Sequence, residues 1–333
     1  MTELYVRGAG CALACVSVLR LFVARRLAVD PAAFVHPDAA PPIEIIQWND
    51  ERPIPRDELL RRVAPADGIV ATLSDRIDPE LLAIAPRLRV VANHAVGYDN
   101  VEIAACTARR VQVCNTPDVL TDATADLTFA LILAVARRLH EAERIVREGR
   151  WHYWAPTMLL GLELRGALLG IVGYGRIGKA VAARARGFGM EVVWCGGHAS
   201  GAIPLDDLLS RADVVSIHCP LTPETRHLIG AAQLTRMKRS AILVNTARGP
   251  IIDEVALVAA LEAGTIAGAG LDVFEDEPRV HPGLVGRDDV VLVPHIGSAT
   301  SVTRARMAEL ALTDAARVLR GERPRNPVNE VLP

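Results

Sequence analysis

A chain of 333 residues is too long for one ordinary hydrophobic core and suits two domains. Half of its residues are hydrophobic and 23% are charged, as in a globular protein, and a net charge of −2 offers no field that would gather nucleic acid or an anionic membrane. The six cysteines (Cys11, Cys15, Cys106, Cys114, Cys195, Cys219) form no C-x-x-C pair and the nine histidines no H-x-x-x-H pair, which speaks against structural zinc or a disulfide framework and fits a reducing cytoplasm.

The first twenty residues carry one early arginine, Arg7, before a mostly apolar stretch from Ala9 to Leu19. That stretch is too short to span a bilayer and has no convincing cleavage site, so residues 1–19 are expected to form a poorly ordered extension rather than an export signal. From Leu21 short apolar runs alternate with helical patterns. Strands are predicted at Leu21 to Val23, Ile43 to Ile46, Gly68 to Ala71, Val90 to Ala92 and Val111 to Val113, with helices near Asp57 to Val63, Pro79 to Ile84 and Val101 to Arg109. Such alternation means parallel βαβ units. After Pro117 and Asp118 one long amphipathic helix is expected from about Asp122 to Glu148, linking two domains.

At Ala167–Gly178 an apolar run empties into Gly173-x-Gly175-x-x-Gly178, followed by a helix-forming stretch to Phe188. The first glycine allows a tight turn, the second lets a pyrophosphate approach the backbone, the third lets helix and strand pack closely, and the helix N-terminus offers N–H groups. The bland alternative is a merely tight βα turn. A second alternating set follows, with strands near Glu191 to Cys195, Val214 to His218, Ala241 to Asn245, Gly268 to Asp272 and Val290 to Val293, and helices near Leu205 to Arg211, Ala231 to Met237 and Asp253 to Ala263. A last helix is expected at about Ser301 to Leu319. The expectation is an α/β protein of two doubly wound parallel-sheet domains with a cleft between them: residues 20–118 plus 301–333 for substrate, and a Rossmann coenzyme domain at 119–300.

Ligands of open parallel sheets sit outside the carboxyl ends of the strands. Three chemically complementary residues follow such ends: Arg248, Glu277 and His295. A guanidinium can hold a carboxylate in a fork, an imidazole can give or take one proton, and a carboxylate on its other nitrogen would orient it and stabilise its charged form. Singly, each has a plain explanation: a surface arginine, a solvated acid in Glu275-Asp276-Glu277, a core histidine bonded to a carbonyl. Together they suit interconversion of a 2-oxo acid and a 2-hydroxy acid.

The segments Asn245-Thr246-Ala247-Arg248-Gly249, Leu271-Asp272-Val273-Phe274-Glu275-Asp276-Glu277-Pro278 and Pro294-His295-Ile296-Gly297-Ser298-Ala299-Thr300 resemble the signature motifs of the D-isomer-specific 2-hydroxyacid dehydrogenases, a likeness that covers about residues 20–330. Ala95 to Asn100, Asn115 to Asp126 and Gly187 to Met190 are similar to the glyoxylate and hydroxypyruvate reductase branch. The resemblance implies that Arg248 binds and polarises the oxo acid, that His295 donates the proton and that Glu277 is its partner. It further implies that backbone around Val96 and Gly97 receives the substrate carboxylate, with Leu73 and Ser74 nearby. Trp154 matches a tryptophan that reaches the neighbouring subunit's cleft, so a homodimer joined through the coenzyme domain is expected. The cofactor residues implied are Gly173, Tyr174, Gly175, Arg176, Ile177, Gly178, Gly196, Gly197, His198, Pro220, Thr225, Thr246, Ala247, Asp272, His295 and Gly297, with no metal. His94 departs from the tyrosine or serine expected two residues before Val96.

An NAD-preferring site places an acid at the end of its second strand to bond the ribose 2′-hydroxyl. Here Val192-Val193-Trp194-Cys195 runs into Gly196-Gly197-His198-Ala199-Ser200, with neither that acid nor an arginine clamp for a 2′-phosphate. NADPH is therefore favoured, with NADH also accepted. The expected function is a cytoplasmic reductase of glyoxylate or hydroxypyruvate. The alternatives are another D-2-hydroxyacid dehydrogenase, such as a phosphoglycerate type, and a non-enzymatic nicotinamide-sensing protein like the corepressors on this fold.

Overall fold

The computed structural model describes residues 18–35, 39–197 and 199–331, so residues 1–17 of the expected extension, and His198, lie outside the described residues. The chain divides into two units. One runs to Leu120 and resumes at Thr300, while the other spans Thr121–Ala299.

The first unit contains β1 (Leu19–Val23), α1 (Ala32–Val35), β2 (Ile43–Gln47), α2 (Arg56–Val63), β3 (Gly68–Ala71), α3 (Pro79–Ile84), β4 (Val90–Asn93), α4 (Ile103–Ala108), β5 (Gln112–Cys114) and the C-terminal helix Ser301–Leu319. Its five strands are parallel in the order β2-β1-β3-β4-β5. Strands covered on both faces must be apolar throughout rather than alternating. Gly-Ile-Val-Ala in β3 obeys this and is buried at every position. Ile69, Val91 and Val113 pack with Leu59, Leu81 and Leu82 on one face, and Val70, Val90 and Ala92 pack with Leu312, Ala315 and Leu319 on the other. The start of α3 follows from its sequence: the Asp78 carboxylate accepts from the Leu81 N–H at 3.0 Å and Pro79 occupies the first turn, where no N–H is needed.

The second unit contains α5 (Thr121–Ala136), α6 (Leu139–Arg147), β6 (Leu168–Val172), α7 (Arg176–Gly187), β7 (Glu191–Cys195), α8 (Leu205–Arg211), β8 (Val214–Ile217), α9 (Ala231–Arg236), β9 (Ile242–Asn245), α10 (Glu254–Glu262), β10 (Gly268–Leu271) and β11 (Val290–Leu292). All six strands are parallel, in the order β11-β10-β9-β8-β6-β7. The chain leaves β6 to one side for β7 and returns to the other for β8. That reversal opens the crevice where open α/β sheets bind ligands.

The single helix expected from Asp122 to Glu148 is two helices. The Ala136 carbonyl, which an unbroken helix would offer four residues on, instead accepts from the Leu162 N–H at 2.8 Å. Arg138 turns left-handed at φ 52°, and α6 starts anew with the Ala142 N–H on the Arg138 carbonyl. The apolar spacing runs on past residues 137 and 138, so the break is marked by this distant hydrogen bond and the left-handed Arg138 rather than by the local pattern.

Candidate active site

The glycine turn shows three distinct constraints. Gly173 has φ 96°, and a Cβ there would lie 2.4 Å from the Cys219 nitrogen. A Cβ on Gly178 would lie 2.4 Å from the Gly173 carbonyl oxygen, so α7 can approach the strand only without one. At Gly175 a Cβ would meet nothing within 4 Å. The backbone there faces open space at the N-terminus of a twelve-residue helix with no side-chain cap. The helix-end N–H groups, the positive dipole end and that clearance fit the pyrophosphate of a dinucleotide.

Around this turn Tyr174 stacks on Trp194, ring centres 4.3 Å apart. Gly196 and Gly197 are both left-handed, and a Cβ on Gly197 would come within 3.2 Å of the Tyr174 carbonyl, so the end of β7 folds beside the turn. Arg176 and Ile177 open α7. Past β8 the Thr225 hydroxyl donates to the Pro220 carbonyl at 2.7 Å and accepts from the Thr222 N–H, closing the loop that carries both expected residues. His218 is pushed down to about 3 by burial, and its Nε2 lies 2.8 Å from the Ser216 hydroxyl.

Arg248, Glu277 and His295 follow β9, β10 and β11, three neighbouring strands. The turn bearing Arg248 is shaped by Asn245, fully buried, which accepts from the Ala247 N–H at 3.0 Å and donates to the Arg248 carbonyl at 2.9 Å. Gly249 presses against the next loop: a Cβ would sit 1.8 Å from the Phe274 carbonyl carbon. The Glu277 carboxylate lies 2.8 Å from His295 Nδ1 through one oxygen and accepts from the Phe274 N–H at 3.1 Å through the other. Burial raises the Glu277 carboxyl, yet the His295 hydrogen bond and charge, the Phe274 N–H and the Arg248 charge outweigh it, and the net shift is downward. Glu277 is thus kept ionised beside the imidazole and the guanidinium.

His295 itself is left-handed, φ 51°, an uncommon conformation for a non-glycine residue that persists where surroundings enforce it. Asp272, 1% exposed, does so: its carbonyl accepts from the His295 N–H at 2.8 Å, and its carboxylate accepts from the Ile296 N–H at 2.5 Å and the Gly297 N–H at 2.8 Å. Burial pushes the Asp272 carboxyl up to about 6 against those two N–H groups and the His295 charge.

Of the expected substrate residues, Leu73, Ser74, Val96 and Gly97 belong to the first unit. Ser74 accepts from Arg25 at 2.7 Å. The carbonyls of Val96 and Gly97 are taken by Asn115 and Asn93, each at 2.8 Å. Trp154, in the second unit between α6 and β6, is 76% exposed, and Trp151 and Tyr153 are exposed with it. Sequence reasoning overlooked Asn245, the clamp formed by Asp272, and Thr124 and Thr128. The available signal was two threonines four residues apart inside an apolar helix. Among the described residues no cluster of three His, Cys, Asp or Glu could hold a metal ion.

The family described as D-isomer specific 2-hydroxyacid dehydrogenase, NAD binding domain, matches residues 129–297. A glyoxylate reductase of Korarchaeum cryptofilum is 50% identical over 299 residues, 86% of this chain and 90% of that protein. The chain belongs to the D-isomer specific 2-hydroxyacid dehydrogenases. Among solved structures, a protein of Thermus thermophilus aligns with a TM-score of 0.87 at 46% identity, covering 93% of this chain and all of that one. An NADPH-dependent glyoxylate/hydroxypyruvate reductase of Sinorhizobium meliloti, solved with NADP and malonate, aligns with a TM-score of 0.81 at 34% identity, covering 95% of this chain and 98% of that one. As a member of this dehydrogenase family, the chain is an oxidoreductase with a Rossmann-type nicotinamide-nucleotide domain.

Proposed function

We propose that this dehydrogenase reduces small 2-oxo acids, glyoxylate to glycolate and hydroxypyruvate to D-glycerate, with NADPH favoured and NADH accepted. The observation that carries the reading is the Glu277–His295 pair at 2.8 Å beside the Arg248 charge, at the carboxyl ends of adjacent strands. The bound nicotinamide supplies the hydride received by C2. Arg248 holds the acid and polarises its oxo group. With Nδ1 of His295 engaged by Glu277, Nε2 is the nitrogen that hands a proton to the developing alkoxide. Val96 and Gly97, whose carbonyls are already bonded, have N–H groups for the substrate carboxylate, with Leu73 and Ser74 in the adjoining loop. Gly173 to Gly178, Gly196, Gly197, Pro220, Thr225, Thr246, Ala247, Asp272 and Gly297 form the nucleotide site.

The preference for NADPH rests on β7, which ends at Cys195 and runs into Gly196-Gly197 with no acid to repel a 2′-phosphate. The exposed apolar strip of Trp151, Tyr153, Trp154 and Leu160 supports a homodimer joined through the second unit, with Trp154 contributed to the partner subunit. The free thiols of Cys106, Cys114, Cys195 and Cys219 fit the reducing cytoplasm. The test is a set of initial rates on glyoxylate, hydroxypyruvate, pyruvate and 3-phosphohydroxypyruvate with each nucleotide. Turnover of the first two fastest, with NADPH ahead, is expected. Nucleotide binding with no turnover of any oxo acid would favour a sensor instead.

A further inference from the structure

Half of the apolar helix α5 is buried, and its buried positions include two hydroxyl side chains one turn apart, Thr124 and Thr128, 4% and 0% exposed. A hydroxyl in such surroundings is costly unless bonded, and where each one bonds is informative. Thr128 donates its one proton to the Thr124 carbonyl at 2.8 Å. Its 2.9 Å contact with the Thr246 hydroxyl must then have Thr246 as donor. Thr246 lies two residues before Arg248. Thr124 donates to the Gly297 carbonyl at 3.2 Å, and Gly297 lies two residues after His295.

Gly297 is held from both sides. Its N–H is taken by Asp272, just past β10, and its carbonyl by Thr124 on α5, and a Cβ there would lie 3.0 Å from the Asp272 carboxylate and 3.5 Å from Thr124. We propose that Thr124 and Thr128 are positioning residues for oxo acid reduction: one short hydrogen-bonded strut on α5 ties the turn that carries Arg248 to the turn that carries His295 and sets their spacing. The inference rests on Arg248 and His295 being the substrate clamp and the proton donor. Loss of a hydroxyl would leave both turns in place but looser, and small misplacement of reacting groups is expensive in rate, about 100-fold for 1 Å.

The test uses Thr124→Val and Thr128→Val, which keep side-chain shape and remove the hydroxyl, together with Thr124→Ser and Thr128→Ser, which keep it. The expected result is a fall in kcat for glyoxylate of about tenfold or more in each valine variant, with any loss of NADPH affinity much smaller than the loss of kcat. Recovery of most of kcat is expected in each serine variant, and in Thr124→Val a displaced pH midpoint of kcat/KM. Should Thr128→Val fail to fold, the two Thr124 variants carry the test alone. A kcat within about twofold of wild type in the valine variants overturns the proposal, as does an equal loss in valine and serine variants, or a loss that tracks NADPH affinity. If wild type itself turns over no oxo acid, the functional reading fails first, a result distinguishable from all of these.

Discussion

Glu277 carries a charge that three neighbours maintain: His295, Arg248 and the Phe274 N–H together hold its carboxyl below the ordinary value of 4.5 despite burial. A carboxyl whose folded value is depressed contributes stability above its unfolded value and loses it as pH falls through the folded one, so the pair weakens only in acid. In Glu277→Gln the imidazolium loses its counter-charge, and oxo acid reduction should fail at a lower pH than in wild type, with nucleotide affinity unchanged. A kcat/KM profile against pH checks this. The three positions proposed as catalytic stand out in the sequence because each follows a strand and each lies in a segment that resembles a motif of the family. Asp272 was expected as a cofactor contact; its clamp on residues 296 and 297 was not foreseen, because nothing in a sequence reports that His295 turns left-handed.

Among the elements, α5 and α6 depart furthest from expectation. Asp122 to Glu148 look like one helix because the apolar spacing runs on, whereas at the break the Leu162 N–H bonds the Ala136 carbonyl. Gly161 is the residue that makes this approach feasible, since a Cβ would sit 2.0 Å from that oxygen. Gly161→Ala is therefore expected to cost about 1–3 kcal/mol, as overpacking does. For a domain of this size that is a Tm lower by several degrees. Thermal unfolding of the variant reads it directly. The strands were read closely because parallel strands are continuous apolar runs bounded by turn residues, whereas a helix interrupted by a distant partner leaves no local mark.

Across the whole molecule, two largely buried histidines, one in each unit, are expected to make stability depend on pH. Burial brings His94 down to about 4, with the Arg304 charge lowering it further and an Arg304 backbone hydrogen bond opposing, and burial brings His218 down to about 3. Between the ordinary value of 6.5 and these, the unfolded chain binds protons that the folded chain refuses, so stability falls as pH falls. Asp272 acts in the opposite sense, since its raised carboxyl takes up a proton earlier in the folded state. The difference between wild type and His94→Gln isolates one contribution. Wild type should lose more degrees of Tm than the variant between about pH 8 and about pH 5. The two-sheet architecture was legible from the alternation of apolar runs and helical patterns, and its functional polarity from the one glycine turn. The link between the Arg248 and His295 turns was not, because the two threonines four residues apart in an apolar helix do not show in sequence which loops they bond.

The most direct measurement is NADPH consumption with glyoxylate by wild type, Arg248→Ala and His295→Ala, with NADPH binding to each followed by nucleotide fluorescence. Turnover by wild type, losses of at least about 100-fold in both variants, and near-native nucleotide affinity in all three are expected. Near-native turnover in either variant would contradict the proposed mechanism.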